Sequence, residues 1–248
     1  MPREETPLQF ADVETSSAEY AGRFAGPAGE WLLRVQTDIL RDLLAFLPSS
    51  GRELSFLDVG GGHGQITAPL VQSGYKVSVL GSSPQCVQQI KELVASKRCA
   101  FFSDNLLNTS FKDCSYDVVT CIRLLAHCEE WPKLISELCR LAGAAVIVDY
   151  PPLLSFNAFY PLFFPLKKGV EENTRSFALF RHRQIEQEFF KNGFKLKRKC
   201  GQFFWPMVLH RLLGNPLLSA RLEKFFDYCG LARVFGSPTL ALFVREKR

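Results

Sequence analysis

Phe56-Leu-Asp-Val-Gly-Gly-Gly-His-Gly64 is the stretch on which the reading of this chain turns. A short apolar run ends in glycines, and Ile66, Leu70 and Val71 follow at helical spacing up to Gly74. That pattern describes a buried strand turning directly into a helix. Glycines at such a turn let the backbone approach a ligand closely and aim its amide N–H groups at it. Any doubly wound nucleotide binder can use this device. The spacing narrows the choice, because Gly60, Gly62 and Gly64 make G-x-G-x-G behind the acid Asp58. Dinucleotide folds carry G-x-G-x-x-G, so the shorter pattern suits a cofactor without a pyrophosphate to cradle.

Outward from this turn, strands are predicted at 76–80, 100–102, 117–121 and 144–148, with a helix at 130–141. Ser83 and Pro84 supply an N-cap and first-turn pair for a helix carrying Val87, Ile90 and Val94 inward. Upstream, Trp31, Val35, Ile39, Leu43 and Phe46 recur at helical spacing and stop at Pro48, which predicts a helix over 28–47. Downstream, a helix at 182–192 closes at Gly193, and strands are predicted at 194–200 and 238–244. Short apolar strands alternating with helices imply an α/β fold: a doubly wound, mostly parallel seven-stranded sheet covered on both faces. The chain reads as one domain over 1–248, with an N-terminal helical lid at 1–50 and insertions at 150–180 and 201–236.

Several motifs in order resemble those of class I S-adenosylmethionine-dependent methyltransferases of the small-molecule type. Asp58-x-Gly60-x-Gly62-x-Gly64 looks like the family's first motif, and Ser83-Pro84 like the helix opening after its second strand. Phe102-Ser-Asp104, Phe111-x-Asp-x-Ser115-Tyr-Asp117-Val-Val, Leu125-Ala-His127, Leu134-x-x-Glu137-Leu-x-Arg140 and Val148-Asp149 resemble the later ones. Tyr20-Ala-x-Arg23-Phe24 is similar to the family's N-terminal lid. The resemblance covers roughly 20–149 and implies a Rossmann-like fold with S-adenosylmethionine as cofactor. It implies that Asp58 and the Gly60, Gly61 and Gly62 backbone hold the methionine end, over whose carboxylate Tyr20 closes. It further implies that Asp104 accepts from the adenine amino group, Asn105 and Leu106 line the ring, and Cys121, Ile122 and Arg123 line the inner side. One position departs: the acid that ends strand two, which binds both ribose hydroxyls, falls on Gly81. Losing two charge-assisted hydrogen bonds costs about 1.5–3 kcal/mol each, which Ser82 or a water restores only in part. A non-catalytic or altered-cofactor binding protein is therefore the alternative. A nicotinamide oxidoreductase is a minor one, since Gly81-Ser-Ser83 lacks the arginine that a phosphorylated ribose needs.

Composition adds the acceptor side. Apolar residues make up 47% of 248 and charged ones 22%, which excludes disordered and fibrous classes. Residues 1–166 carry 13 Lys/Arg against 18 Asp/Glu, whereas 167–248 carry 17 against 7, so the basic excess lies toward the insertions. The aromatics are mostly Phe, 22 against 6 Tyr and 3 Trp. Tyr150, Phe156, Phe159, Tyr160, Phe163, Phe164 and the run Phe203-Phe-Trp205-Pro-Met207 mark both insertions as aromatic caps. Both should leave the sheet at the carboxyl ends of its strands, where such folds bind ligands. An aromatic-walled roof predicts a small, lipophilic or aromatic acceptor. Lys167, Lys168, Arg175, Arg181 and Arg183 would draw an anionic acceptor or a membrane surface toward it, while Lys195, Lys197 and Lys199 read as a solvated strand face. Nucleic acid is disfavoured, because the rings cluster with proline and do not interleave with basic residues.

Oxygen acceptors usually need a general base, and His127 and His210 are the candidates, with His63 and His182 the remaining histidines. Eight cysteines without a C-x-x-C pair predict no metal site and reduced thiols in a cytoplasmic protein. The uncharged stretch 150–166 is too short and proline-rich to span a membrane.

Overall fold

Register explains how the first strand is held. The computed structural model describes residues 11–47, 53–156 and 178–246. Strand β1 (Ser55–Val59) pairs in parallel with β4 (Tyr116–Cys121), setting Asp58 opposite Thr120. At the start of the pair, Asp117 Oδ2 accepts from the Ser55 N–H at 2.9 Å and from Ser55 Oγ at 2.8 Å. The strand pair is thus tied at both ends by polar bonds, while Phe56, Leu57, Val118 and Val119 are fully buried between them.

The remaining strands are β2 (Lys76–Gly81), β3 (Cys99–Ser103), β5 (Ala142–Tyr150), β6 (Phe194–Phe203) and β7 (Ser237–Arg245). The sheet order is β3-β2-β1-β4-β5-β7-β6, with β7 antiparallel to both neighbours and the other described pairs parallel. This is the seven-stranded, mostly parallel Rossmann-like sheet expected from the alternation. Because β7 opposes both β5 and β6, those two run the same way, and the cap after β6 starts at the edge where β1 to β5 end.

The helices are α1 (Ala11–Thr15), α2 (Ala18–Gly22), α3 (Gly26–Leu44), α4 (Thr67–Gln72), α5 (Lys91–Ala95) and α6 (Trp131–Leu141). They continue with α7 (His182–Lys191), α8 (Met207–Leu213), α9 (Pro216–Tyr228) and α10 (Leu231–Phe235). Strands exceed their predicted lengths at several ends because pairing continues past the apolar runs that mark them. Ser83 does cap the segment after β2, its Oγ accepting from the Gln85 N–H, but Pro84–Ile90 winds as 3₁₀ helix before α5. Helices α1 and α2 fall within the segment read as a helical lid, although at five residues each their own bounds were not predicted. Phe159, Tyr160, Phe163, Phe164, Lys167, Lys168 and Arg175, named above in the first cap, lie outside the described residues, as does Pro48.

The Leu134-x-x-Glu137-Leu-x-Arg140 run does structural work. Glu137 Oε1 accepts from the Thr109 N–H and hydroxyl at 2.8 Å, and Arg140 donates to both Glu137 oxygens, Asp113 and the Phe111 carbonyl. Partial burial notwithstanding, these bonds hold the Glu137 carboxyl below the usual carboxylate range. On the far side, Phe189 of α7 stacks on Phe243 of β7 at 3.8 Å. Lys195, Lys197 and Lys199 are exposed, although a register shift between Leu196 and Arg198 interrupts their alternation.

Asp117→Ala removes the acceptor for two Ser55 donors at the start of β1. We expect a loss of about 2 kcal/mol, read as a lower urea midpoint at unchanged slope.

Candidate functional site

The turn after β1 is shaped by Asp58. Its carboxylate lies wholly inside, with Oδ1 accepting from Thr120 Oγ1 at 2.8 Å and Oδ2 from Thr67 Oγ1 at 2.7 Å. A side chain at position 61 would meet that carboxylate at 2.2 Å, so Gly61 is required by Asp58 itself. Gly60 and Gly64 take φ of +72° and +75°, left-handed values that favour glycine. His63, within the turn, places Nε2 3.3 Å from the Ile122 carbonyl, and its Nδ1 accepts from the Gln65 N–H at 3.1 Å. Burial, with Arg123 nearby, pushes the His63 imidazole down to about 4, so the ring is neutral at pH 7. Sequence position thus marks this histidine as part of the turn's scaffold.

Next along the edge is the end of β2. Here the structure brings in a residue that sequence reading missed. Asp12 of α1 accepts from the Ser82 N–H at 2.7 Å through Oδ2 and from Ser82 Oγ at 2.7 Å through Oδ1. Cys86 Sγ donates to the same Oδ2 at 3.3 Å. Asp12 is fully buried, and Ala11 beside it joins the core cluster that contains Val59, Leu80, Leu106, Cys121 and Leu124. A Cβ on Gly60 would lie 3.6 Å from Asp12 Cβ, and one on Gly62 would strike Ser16 Oγ at 2.4 Å and the Cys86 carbonyl at 2.1 Å.

Helix α1 therefore lies on the glycine turn and on the end of β2 together. Gly60, Gly61, Gly62, Gly81, Leu106, Cys121 and Ile122 are all buried by the chain itself. Asp104, just past the end of β3, is half-buried and turned to its own loop: Oδ1 accepts from the Asn105 N–H and Oδ2 from the Ser110 N–H and hydroxyl. Against slight burial, those bonds hold its carboxyl below the usual range. In this arrangement Asp12 and Ser16 lie over Gly60 and Gly62, Asp12 is bonded to Ser82, and the Asp104 carboxylate is spent on its own loop.

Beyond β4 the chain turns at Arg123, whose φ of +61° is unusual for a residue with a side chain. Its N–H donates to Asp149 Oδ1 at 2.6 Å, Nε to Gln65 Oε1 and Nη2 to Gln36 Oε1, both at 2.9 Å. The guanidinium also sits over the Phe24 ring at 4.8 Å and reaches Met207 Sδ at 3.9 Å. Burial pushes the Tyr20 phenol up, while the adjacent Arg123 pulls it down. One arginine thus gathers α2, α3, the glycine turn and the start of α8 onto the ends of β4 and β5.

The segment after β6 packs near this point. Trp31 of α3 meets Phe203 at 5.4 Å and His210 at 5.1 Å, while Phe156 stacks on Trp205 at 5.8 Å and Phe204 on Phe226 at 4.3 Å. His210 Nε2 lies 2.8 Å from Glu223 Oε1, and the Glu223 carboxylate also accepts from the Phe204 and Trp205 N–H groups. The structure places His210 as a tie within the cap. His127 ends the 3₁₀ turn Leu125–His127 after β4, where the Ala126 carbonyl accepts from the Ala178 N–H and so roots the returning first cap. Gln36 Nε2 and Trp205 Nε1 are buried donors without a partner among the described residues. Among those residues no helix is long and apolar enough to cross a membrane, and no cluster of His, Cys, Asp or Glu could hold a metal.

A family model described as a methyltransferase domain matches residues 56–143. The fold is similar to magnesium protoporphyrin IX methyltransferase from Synechocystis, solved with bound SAH, at 18% identity over 94% of this chain and 97% of that one, TM-score 0.62. It is similar also to a putative methyltransferase from Haloferax volcanii solved in complex with a methyltransferase activator, at 14% identity, 97% and 100% coverage and TM-score 0.63. A putative sarcosine dimethylglycine methyltransferase from Galdieria sulphuraria gives 15% identity, 86% and 85% coverage and TM-score 0.59. No curated protein sequence matches the chain significantly.

Burial pushes the Asp58 carboxyl up to about 6, against the pull of its Thr67 and Thr120 bonds. Its native pKa exceeds the unfolded one, so the folded state holds the extra proton and its contribution to stability falls as pH rises from about 4 to 6. Relative to Asp58→Asn, the wild type should lose about 3 kcal/mol across that interval, measured by urea unfolding at each pH.

Proposed function

We propose that this chain, a class I S-adenosylmethionine-dependent methyltransferase by its family match and fold, methylates a small lipophilic or aromatic acceptor. The observation that carries the acceptor class is the aromatic cap standing on Arg123 at the ends of β4 and β5. That edge is where doubly wound sheets bind their ligands. A wall of Trp31, Phe156, Phe203, Phe204 and Trp205 offers apolar faces, excludes water and presents few charges. The unmet donors Gln36 Nε2 and Trp205 Nε1 supply polar contacts that an oxygen-bearing acceptor would complete. Two of the similar structures are named for small molecules, magnesium protoporphyrin IX and sarcosine dimethylglycine, in keeping with this class.

Residue roles on the acceptor side follow from position. Arg123 fixes the floor by holding Gln36, Gln65 and Asp149 in one network. His210, tied to Glu223, holds the cap in place. His127 is the base proposed for a hydroxyl acceptor, since it ends the 3₁₀ turn after β4 at the edge where β1 to β5 end. The N-terminal helices complete the enclosure as a lid.

The test is transfer of a labelled methyl group from the cofactor to fractionated cell material. Label should appear in organic-soluble small molecules; label confined to protein or nucleic acid overturns the reading. With an acceptor in hand, Trp205→Ala should raise its KM by about tenfold or more while leaving S-adenosylhomocysteine binding unchanged. Trp205→Phe, which keeps the ring face and loses the N–H, should fall between the two.

A further inference from the structure

Two of the glycines expected beside the cofactor, Gly60 and Gly62, lie against Asp12 and Ser16, and the position that should carry an acid carries glycine. These two observations belong together. Asp12 sets a carboxylate on Ser82, one residue past Gly81, where the resemblance places the ribose-binding acid. It arrives from another part of the chain and spends both oxygens on the protein, Oδ1 on the Ser82 hydroxyl and Oδ2 on the Ser82 N–H and Cys86 thiol. Ala11 is buried in the same core cluster as Leu80, Leu124 and Leu106, the last of which was expected to line an adenine ring. Ser16 covers Gly62, the glycine expected beside the methionine end. From Ala11 to Ser16, one short segment spans the length of the expected cofactor cleft.

The geometry points to α1 as an internal occupant of that cleft, with Asp12 the residue that sets cofactor affinity by competing for Ser82. This inference rests on the cofactor reading above and deepens it. A ligand that binds only the form with α1 displaced sees its affinity reduced by the fraction of molecules in that form. The helix has five residues, too few to be stable alone, so its seat depends on the contacts made by Asp12 and Ala11. Removing the carboxylate leaves the half-buried Ser82 donors unmet in the seated form and shifts the population toward the open one.

The experiment uses the full chain and S-adenosylhomocysteine as probe, with calorimetry for affinity and amide hydrogen exchange for the helix. In the wild type, binding should raise exchange at 12–18. Asp12→Ala should raise that exchange without ligand and tighten binding by about tenfold or more, since it removes hydrogen bonds to a charged group. Asp12→Asn, which keeps one carbonyl acceptor, should lie between. Weaker binding in Asp12→Ala, with 12–18 protected on binding, overturns the inference, because Asp12 would then hold the ligand. Unchanged affinity overturns it as well. If neither wild type nor variant binds the probe while Asp12→Ala still frees the helix, the cofactor reading fails and the seat of the helix stands.

Discussion

The two bonds that Asp58 accepts from Thr67 and Thr120 fix the geometry on which everything at this edge depends. A carboxylate taken wholly out of water is costly unless it is hydrogen-bonded. Parallel register supplies Thr120 from the neighbouring strand, and the first residue of α4 supplies Thr67. The strand pair, the glycine turn and the helix after it are therefore held by one buried group. Gly61 follows from this, since any side chain there would collide with the carboxylate. The glycine motif is set twice over, by its own packing as well as by any ligand's need for close approach.

Much of the sheet was legible because its strands are short apolar runs and its helices show a regular apolar face. The order of the motifs placed the glycine turn and the ends of β2 to β5 at one edge, and the register agrees. The helix after Ser83-Pro84 was legible in its cap and not in its winding, because capping chemistry leaves the choice between 3₁₀ and α to later packing. Within the lid read over 1–50, the bounds and the seat of helix α1 were not legible. Five residues cannot display a helical period, and its seat comes from a contact between Asp12 and Ser82, 70 positions apart. One sequence carries no mark of such a pair. The residues expected to meet a cofactor lie at the turn and strand ends where their motifs stand; what the sequence could not show was which other part of the chain touches them.

Arg123 illustrates a different limit. Its place after β4 was readable, yet its backbone is left-handed and its five side-chain and ring partners come from the turn after α2, from α3, from the glycine turn, from β5 and from α8. Strained backbone persists only where its surroundings over-determine it. Here the surroundings are the lid, the floor and the cap, so this residue reports whether all three are assembled.

The glycine at 81 and the aspartate at 12 are best understood as one change. A Cβ at 81 would meet Cys86 Cβ at 2.7 Å and the Phe101 ring at 3.2 Å, so the packing leaves an acid there little room. Any carboxylate that did fit would face that of Asp12 across Ser82, with like charges buried side by side. The two arrangements exclude each other. A carboxylate on a strand is fixed and can serve only what enters the cleft. One carried on a five-residue helix serves the helix until something displaces it. Moving the charge from strand to helix turns a binding determinant into a competitor, while the sheet beneath keeps the form that the glycine turn and Asp58 impose.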